Sequence, residues 1–265
     1  MLDITQAKAT TPDGLSIAYD VQGQGDPILL IAGMSADRSL WSLVRYDLAE
    51  RFRTIALDNR DAGASDCATT SYTATNLARD ALAVLDSAGV ERAHVLGHSL
   101  GGVIAQELAI LAPDRVSRLT LANTFAANDH GTREHFALIG DLRDAVADDL
   151  TFLRALYFYG LGRSTLEHMP LSAVANQVLE GGPVQKPGAL KRQIDVLLAT
   201  STLDRLGTIA VPTRVIWSSE DKFFSEAHSA AIVNTVDRAE LVQIEKTGHC
   251  PMIEAPERFV AAVLD

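Results

Sequence analysis

Apolar positions in this chain follow two alternating rhythms. Residues 4–21 switch between apolar and polar around Pro12-Asp13-Gly14, a period of two broken by turn formers, which predicts a hairpin at a sheet edge. An uninterrupted apolar run follows at 27–31, and largely apolar ones at 53–57 and 93–96, the last two separated by a stretch, 73–88, with Leu77, Ala81, Leu82 and Leu85 on one helical side. Short apolar runs suit strands buried on both faces. Strands alternating with helices imply right-handed crossovers in a mainly parallel sheet, an α/β architecture with helices on both sides.

A further strand is expected at 116–122, after which the rhythm changes. Between 124 and 205 no strand pattern occurs, and helical stretches are expected near 133–149, 150–159, 171–179 and 188–203. Strands return at 213 and 241, and 255–264 reads as a closing helix. The chain thus divides into a core, 1–123 with 206–265, and a helical insertion, 124–205. The insertion is expected to act as a cap over the carboxyl ends of the strands, where open α/β sheets bind ligands.

Composition narrows the partners. A net charge of −11, with no cluster of Lys and Arg, argues against nucleic acid and against docking on an anionic membrane. Cys67 and Cys250 lie far apart and outside any Cys-x-x-Cys pattern, so both are expected as reduced thiols in a cytoplasmic protein. Residues 1–5 lack the basic start of a secretion signal, and no apolar run approaches the roughly 20 residues of a membrane span. A homodimer is the one protein partner left open.

The chemistry starts at Gly97-His98-Ser99-Leu100-Gly101, which lies between an apolar run and a helical run. A strand that enters a helix through one sharp turn presents its central serine clear of the sheet, and the flanking glycines remove side chains that would clash there. A serine at such a turn can also merely cap the helix. Two later segments favour a nucleophile: residues 213–221 end a strand on Glu220 and Asp221, and 241–249 end one on His249. A serine hydroxyl needs a base to take its proton and a carboxylate to orient the imidazole. Ser99, Asp221 or its neighbour Glu220, and His249 supply these in the order Ser, Asp, His.

That order and its surroundings resemble the α/β-hydrolase superfamily over nearly the whole chain. The likeness covers 27–34, Asp58 to Asp66, the serine turn, Asp221, and the ending Gly248-His249-Cys250-Pro251 to Glu254-Ala255-Pro256, close to the family's Gly-His-x-Pro-x-x-Glu-x-Pro. Two positions depart from it: Ala32-Gly33 stands where many relatives have His-Gly, and Arg60-Asp61 where they have Arg-Gly. The resemblance favours Asp221 over Glu220. It implies an oxyanion hole from the backbone N–H groups of Met34 and Leu100, with Gly33 beside the substrate. Backbone donors leave side chains free to vary, so Ala32 does not abolish the hole.

Trp41 occupies a place where 3-oxoadipate enol-lactonases carry a tryptophan, and Asp58 to Asp61 is similar to the aclacinomycin methylesterase group. Of the aromatic residues in the insertion, Phe152 and Tyr157 are expected against substrate. Arg163 or His135 could bind a substrate carboxylate. His98 is expected to pack beneath the loops, and Cys250 to be a small buried hydrophobe. His130 and His135 lack zinc-site spacing, and no phosphate-binding glycine loop occurs, so neither metal nor cofactor is expected. The reading is a cofactor-free serine hydrolase acting on an ester or lactone of a small, largely apolar molecule. Carbon–carbon bond hydrolysis, perhydrolysis, cofactor-free dioxygenation and a receptor of the same fold are the alternatives.

Overall fold

The computed structural model describes residues 3–182 and 184–264. Eight strands, β1 Ile4–Thr10, β2 Ser16–Gln22, β3 Asp26–Ile31, β4 Phe52–Leu57, β5 Ala93–His98, β6 Val116–Ala122, β7 Thr213–Ser218 and β8 Ala239–Ile244, form one sheet in the order β1-β2-β4-β3-β5-β6-β7-β8. β1 and β2 are the expected antiparallel hairpin, and β2 is also antiparallel to β4. From β4 to β8 every pairing is parallel, which places the carboxyl ends of six strands along one edge.

Alternation within each strand divides the core between the two faces. Leu29, Ile31, Ile55, Leu57, Val95, Leu119 and Val215 point to one side, where α2 (Ala74–Ser87), α3 (Leu100–Leu111) and α9 (Glu226–Val233) add their apolar residues. Ile28, Leu30, Ala56, Leu96 and Ile216 point to the other, covered by α1 (Arg45–Ala49) and α11 (Pro256–Leu264). Helix α2 starts on a capping box, in which Thr73 accepts from the Asn76 N–H and Asn76 accepts from the Thr73 N–H. Helix α9 was not expected: its buried residues are only Ser229 and Ile232, too weak an apolar rhythm to stand out. The closing helix is two, α10 (Pro251–Glu254) and α11, each opening on a proline at a position where a missing N–H costs nothing.

Between β6 and β7 lie α4 (His130–Ala145), α5 (Asp149–Gly160), α6 (Arg163–Leu166), α7 (Leu171–Gly181) and α8 (Pro187–Ala199). Phe136, Ile139, Phe152, Leu153, Leu190, Ile194 and Leu197 from these helices join the same core as α2 and α3. Among the described residues no helix is long and apolar enough to cross a membrane.

Candidate active site

Ser99 sits between β5 and α3 with φ 55° and ψ −118°, a backbone conformation costly for any residue with a side chain. Packing maintains it. A Cβ on Gly97 would run into the Gly101 backbone, and one on Gly101 into the carbonyls of Ile31 and Ala32. The Ser99 N–H donates to the Ala122 carbonyl (3.0 Å), and its own carbonyl accepts from Thr124 Oγ1 (2.7 Å). Leu100 opens α3, so its N–H is among the first-turn donors that a helix leaves without an internal partner. Gly33 lies against the Ser99 turn, where a Cβ would stand 3.0 Å from both Ser99 Cβ and His98 Nδ1. Met34 follows, half-buried.

The turn after β7 delivers two carboxylates to different places. Asp221 Oδ2 lies 2.9 Å from His249 Nδ1 and has no exposed surface. Its Oδ1 accepts from the N–H groups of Phe223 (2.8 Å) and Phe224 (3.3 Å). Burial works against ionising this carboxyl, but the His249 charge and the bonds from His249, Asn123 and Phe223 hold it below the usual range. Glu220 turns away and accepts from Ser164 N (2.8 Å) and Oγ (2.6 Å) on α6. Of the two, Asp221 is the imidazole's partner.

His249 is wrapped in rings: Phe223 at 4.6 Å, His98 at 4.7 Å and Phe224 at 5.4 Å between centroids. His98 Nε2 donates to the His249 carbonyl (2.7 Å), which fixes the His98 tautomer and links the residue before Ser99 to the backbone of the imidazole. Burial and the nearby His249 charge push His98 down to about 3, so it stays neutral and packs beneath the loops as expected. Cys250 is also as expected, a buried thiol pushed well up by burial and by the Glu254 and Asp221 charges.

Asn123 was not singled out from the sequence. At the end of β6 it adopts φ 46°, donates from Nδ2 to Asp221 Oδ2 (2.8 Å) and gives its own N–H to the Ile216 carbonyl (2.9 Å). Asparagine is one of the few side-chain-bearing residues that tolerate this backbone region, and that was the only signal available.

The insertion grips the same loops. The His249 N–H donates to the Gly160 carbonyl (2.7 Å), and Lys222 Nζ donates to the carbonyls of Phe158 (2.7 Å) and Leu161 (2.8 Å), ending α5 on a cation. Glu254 accepts from Gly162 N (2.8 Å), Thr165 Oγ1 (2.6 Å), Gly248 N (2.9 Å) and Cys250 N (3.2 Å), bracketing His249 on both sides. Gly162 and Gly248 meet backbone to backbone; a Cβ on Gly162 would stand 2.7 Å from Gly248 N.

Two expected substrate contacts are corrected by burial. Trp41 is 0% exposed and stacks on Phe259 at 6.2 Å, so no surface remains for a ligand to touch. Phe152 is equally buried, with the Arg143 guanidinium 4.8 Å over its ring. Both rings fill core. Tyr157 is half-buried and packs against both core clusters, its phenol pushed up by burial and by the Cys250 thiol, one residue from His249. Arg163 is 82% exposed beside Glu167, whereas His135 lies 5.9 Å from Phe223, the ring that stacks on His249. Among the described residues no three or more His, Cys, Asp or Glu side chains are grouped so as to hold a metal ion.

Comparison with known proteins bears on the fold. A profile of the alpha/beta hydrolase fold matches residues 26–256. The chain is 32% identical to a putative carbamate hydrolase, RutD, of Azorhizobium caulinodans over 91% of both chains. It is 28% identical to a putative non-heme bromoperoxidase, BpoC, of Mycobacterium tuberculosis over 94% of this chain and 97% of that one. A solved hydrolase from Pseudomonas aeruginosa PA01 superposes with a TM-score of 0.85 at 29% identity, covering 98% of this chain and 97% of the other. The chain belongs to the alpha/beta hydrolase fold family.

Proposed function

We propose that the protein is a serine hydrolase that cleaves an ester or lactone of a small, largely apolar molecule through an acyl-enzyme on Ser99. The observation that carries this reading is the His249 Nδ1 to Asp221 Oδ2 pair at 2.9 Å, with a carboxylate wholly removed from water, on the same sheet edge as the strained Ser99 turn. An imidazole held this way presents Nε2 as a base.

The steps follow from that polarity. His249 Nε2 takes the Ser99 hydroxyl proton as Oγ bonds to the substrate carbonyl carbon. The Met34 and Leu100 N–H groups receive the negative charge that builds on the carbonyl oxygen. The carbon–oxygen bond to the leaving group breaks as His249 returns the proton to it. Water then attacks the acyl carbon while His249 takes its proton, and Ser99 leaves with that proton restored. Asp221 stays ionised throughout, orienting the imidazole and offsetting its transient charge. Helices α4–α8 act as a cap, whose His135 lies 5.9 Å from Phe223, the ring that in turn sits 4.6 Å from the base.

The RutD relative favours a second substrate class, since a carbamate would pass through the same steps with an alcohol or amine leaving and water releasing the carbonyl group from Ser99. One experiment tests the core of both. A fluorophosphonate should label Ser99 alone, and Ser99→Ala should lower turnover of p-nitrophenyl esters by several orders of magnitude with circular dichroism unchanged. Ester turnover within tenfold of wild type in folded Ser99→Ala would falsify the covalent mechanism. Parallel panels of esters, lactones and carbamates then separate the substrate classes.

A further inference from the structure

Helix α8 reaches the turn after β3 with one side chain. Gln193 is fully buried; its Oε1 accepts from the Ser35 N–H (3.1 Å) and its Nε2 donates to the Arg60 carbonyl (3.3 Å). One amide therefore ties the loop after β3 to the loop after β4, and ties both to the insertion. Arg192, its neighbour on α8, clamps Asp61 in the second of those loops.

Ser35 follows Met34 directly and has φ 60°, a left-handed conformation that persists only where the surroundings enforce it. The turn is held at its other end by Asn59 Nδ2, which donates to the Ala32 carbonyl (3.0 Å), and by the close fit of Gly33 against Ser99 and His98. Within it the Ala36 N–H reaches the Gly33 carbonyl at a long 3.4 Å. Gln193 thus holds Ser35 at the downstream end, ahead of Arg38, whose N–H donates to Asp58 Oδ1 (2.8 Å). Because the Met34 N–H lies between the two anchors, its direction depends on both.

We propose that Gln193 is a positioning residue: from the insertion it fixes the Gly33–Ser35 turn and so aims the Met34 N–H at the developing oxyanion. It touches neither substrate nor reacting atoms. The proposal rests on the acyl-transfer reading above. It implies that the insertion shapes the rate of the chemical step as well as the choice of substrate.

The test compares Gln193→Met, which keeps the volume and loses both hydrogen bonds, with Gln193→Glu, which keeps an acceptor for the Ser35 N–H. Active sites are counted by fluorophosphonate titration so that lost fold does not pass for lost chemistry. On p-nitrophenyl acetate, Gln193→Met should lower kcat by about 30-fold with KM within about threefold, as expected when an interaction belongs to the transition state. A boronic acid that forms a tetrahedral adduct with Ser99 should weaken by a similar factor, while inhibition by the product acid stays unchanged. Gln193→Glu should recover part of kcat, to within about fivefold to tenfold of wild type.

A titrated kcat in Gln193→Met within twofold of wild type, or boronate and product affinities falling together, overturns the proposal. If Gln193→Met does not fold, Gln193→Leu, which also removes both hydrogen bonds, is read in its place: a titrated kcat within twofold of wild type, or a rise in KM only, overturns it. Wild-type protein that the fluorophosphonate leaves unlabelled refutes the acyl-enzyme reading itself. Labelled wild type with an indifferent Gln193 refutes only this inference.

Discussion

Asp61 and Arg192 form a two-pronged ion pair, 2.9 and 2.6 Å, and the Asp61 carboxylate has no exposed surface. Asp61 takes the place of the glycine that the family resemblance leads one to expect, and the structure accommodates it. Its φ is 71°, in the region glycine adopts freely and aspartate tolerates. What the aspartate adds is an anchor for α8 and an acceptor for the Ala68 N–H (2.9 Å). Arg192→Met should leave that carboxylate buried and unpaired, at a cost of about 3–5 kcal/mol in urea unfolding. Asp61→Asn in the same chain should recover much of the loss. Strictly additive effects in that double-mutant cycle would mean the pair is not coupled.

The carboxylates of the β7 turn should separate cleanly in kinetics. Asp221→Asn should lower kcat by about 10⁴-fold, the size expected when the orienting carboxylate of a serine triad is lost. Glu220→Gln should change ester turnover by less than about fivefold, since its partners are Ser164 N and Oγ. The reverse ranking would mean that the wrong residue has been assigned to the imidazole.

Asn123→Asp places a second carboxylate where an amide now donates to Asp221 Oδ2 at 2.8 Å. Added negative charge favours the protonated imidazole, so the apparent pKa of the kcat/KM profile should rise and activity should fall more at pH 6 than at pH 8. Asn123→Ala removes the donor without adding charge and serves as the control. Identical pH profiles for both variants would count against electrostatic coupling at this position.

Acid sensitivity of the fold should trace to buried histidines outside the chemistry. Burial, with the Arg118 and Arg214 charges adding to it, pushes His94 on β5 from 6.5 down to about 3. Between these values the unfolded chain binds a proton that the folded chain does not. The stability that neutral His94 contributes is therefore complete above about pH 6.5 and lost as pH falls towards 3. From pH 7 to pH 5 the loss is on the order of 2 kcal/mol for each such group. His94→Gln should reduce the difference in urea-unfolding free energy between pH 7 and pH 5 by that amount. Equal differences in the two proteins would show that His94 is not the group responsible.

The serine turn and the histidine were legible because each sits at the end of a strand with a local signature, whereas the choice of Asp221 over Glu220 came from the resemblance alone. Asn123 and Gln193 were not legible, because their meaning lies in partners distant along the chain. Gln193 meets Ser35 across 158 residues and Asn123 meets Asp221 across 98, and no local pattern encodes either. Trp41 and Phe152 were misplaced for a related reason. A large aromatic ring satisfies a core and a pocket equally well in sequence, and only burial distinguishes them. The helices of the insertion could be read from apolar spacing, but not the contacts that tie them to the loops of the sheet.

Strands β6 and β7 are sheet neighbours, yet helices α4–α8 and about 90 residues separate them in the chain. Closing so long a loop adds little to the equilibrium cost, because the entropy grows only with the logarithm of length, but it delays the pairing in time. During synthesis, a chain that has emerged as far as β6 would carry Ser99 on a sheet whose growing edge, Val116–Ala122, is still open and apolar. Asp221 and His249 would then arrive together with β7 and β8, making assembly of the active site the closing event of folding. Pulsed hydrogen exchange during refolding should protect β3 to β5 before β7 and β8. Simultaneous protection of all strands would show instead that the sheet forms in one cooperative step.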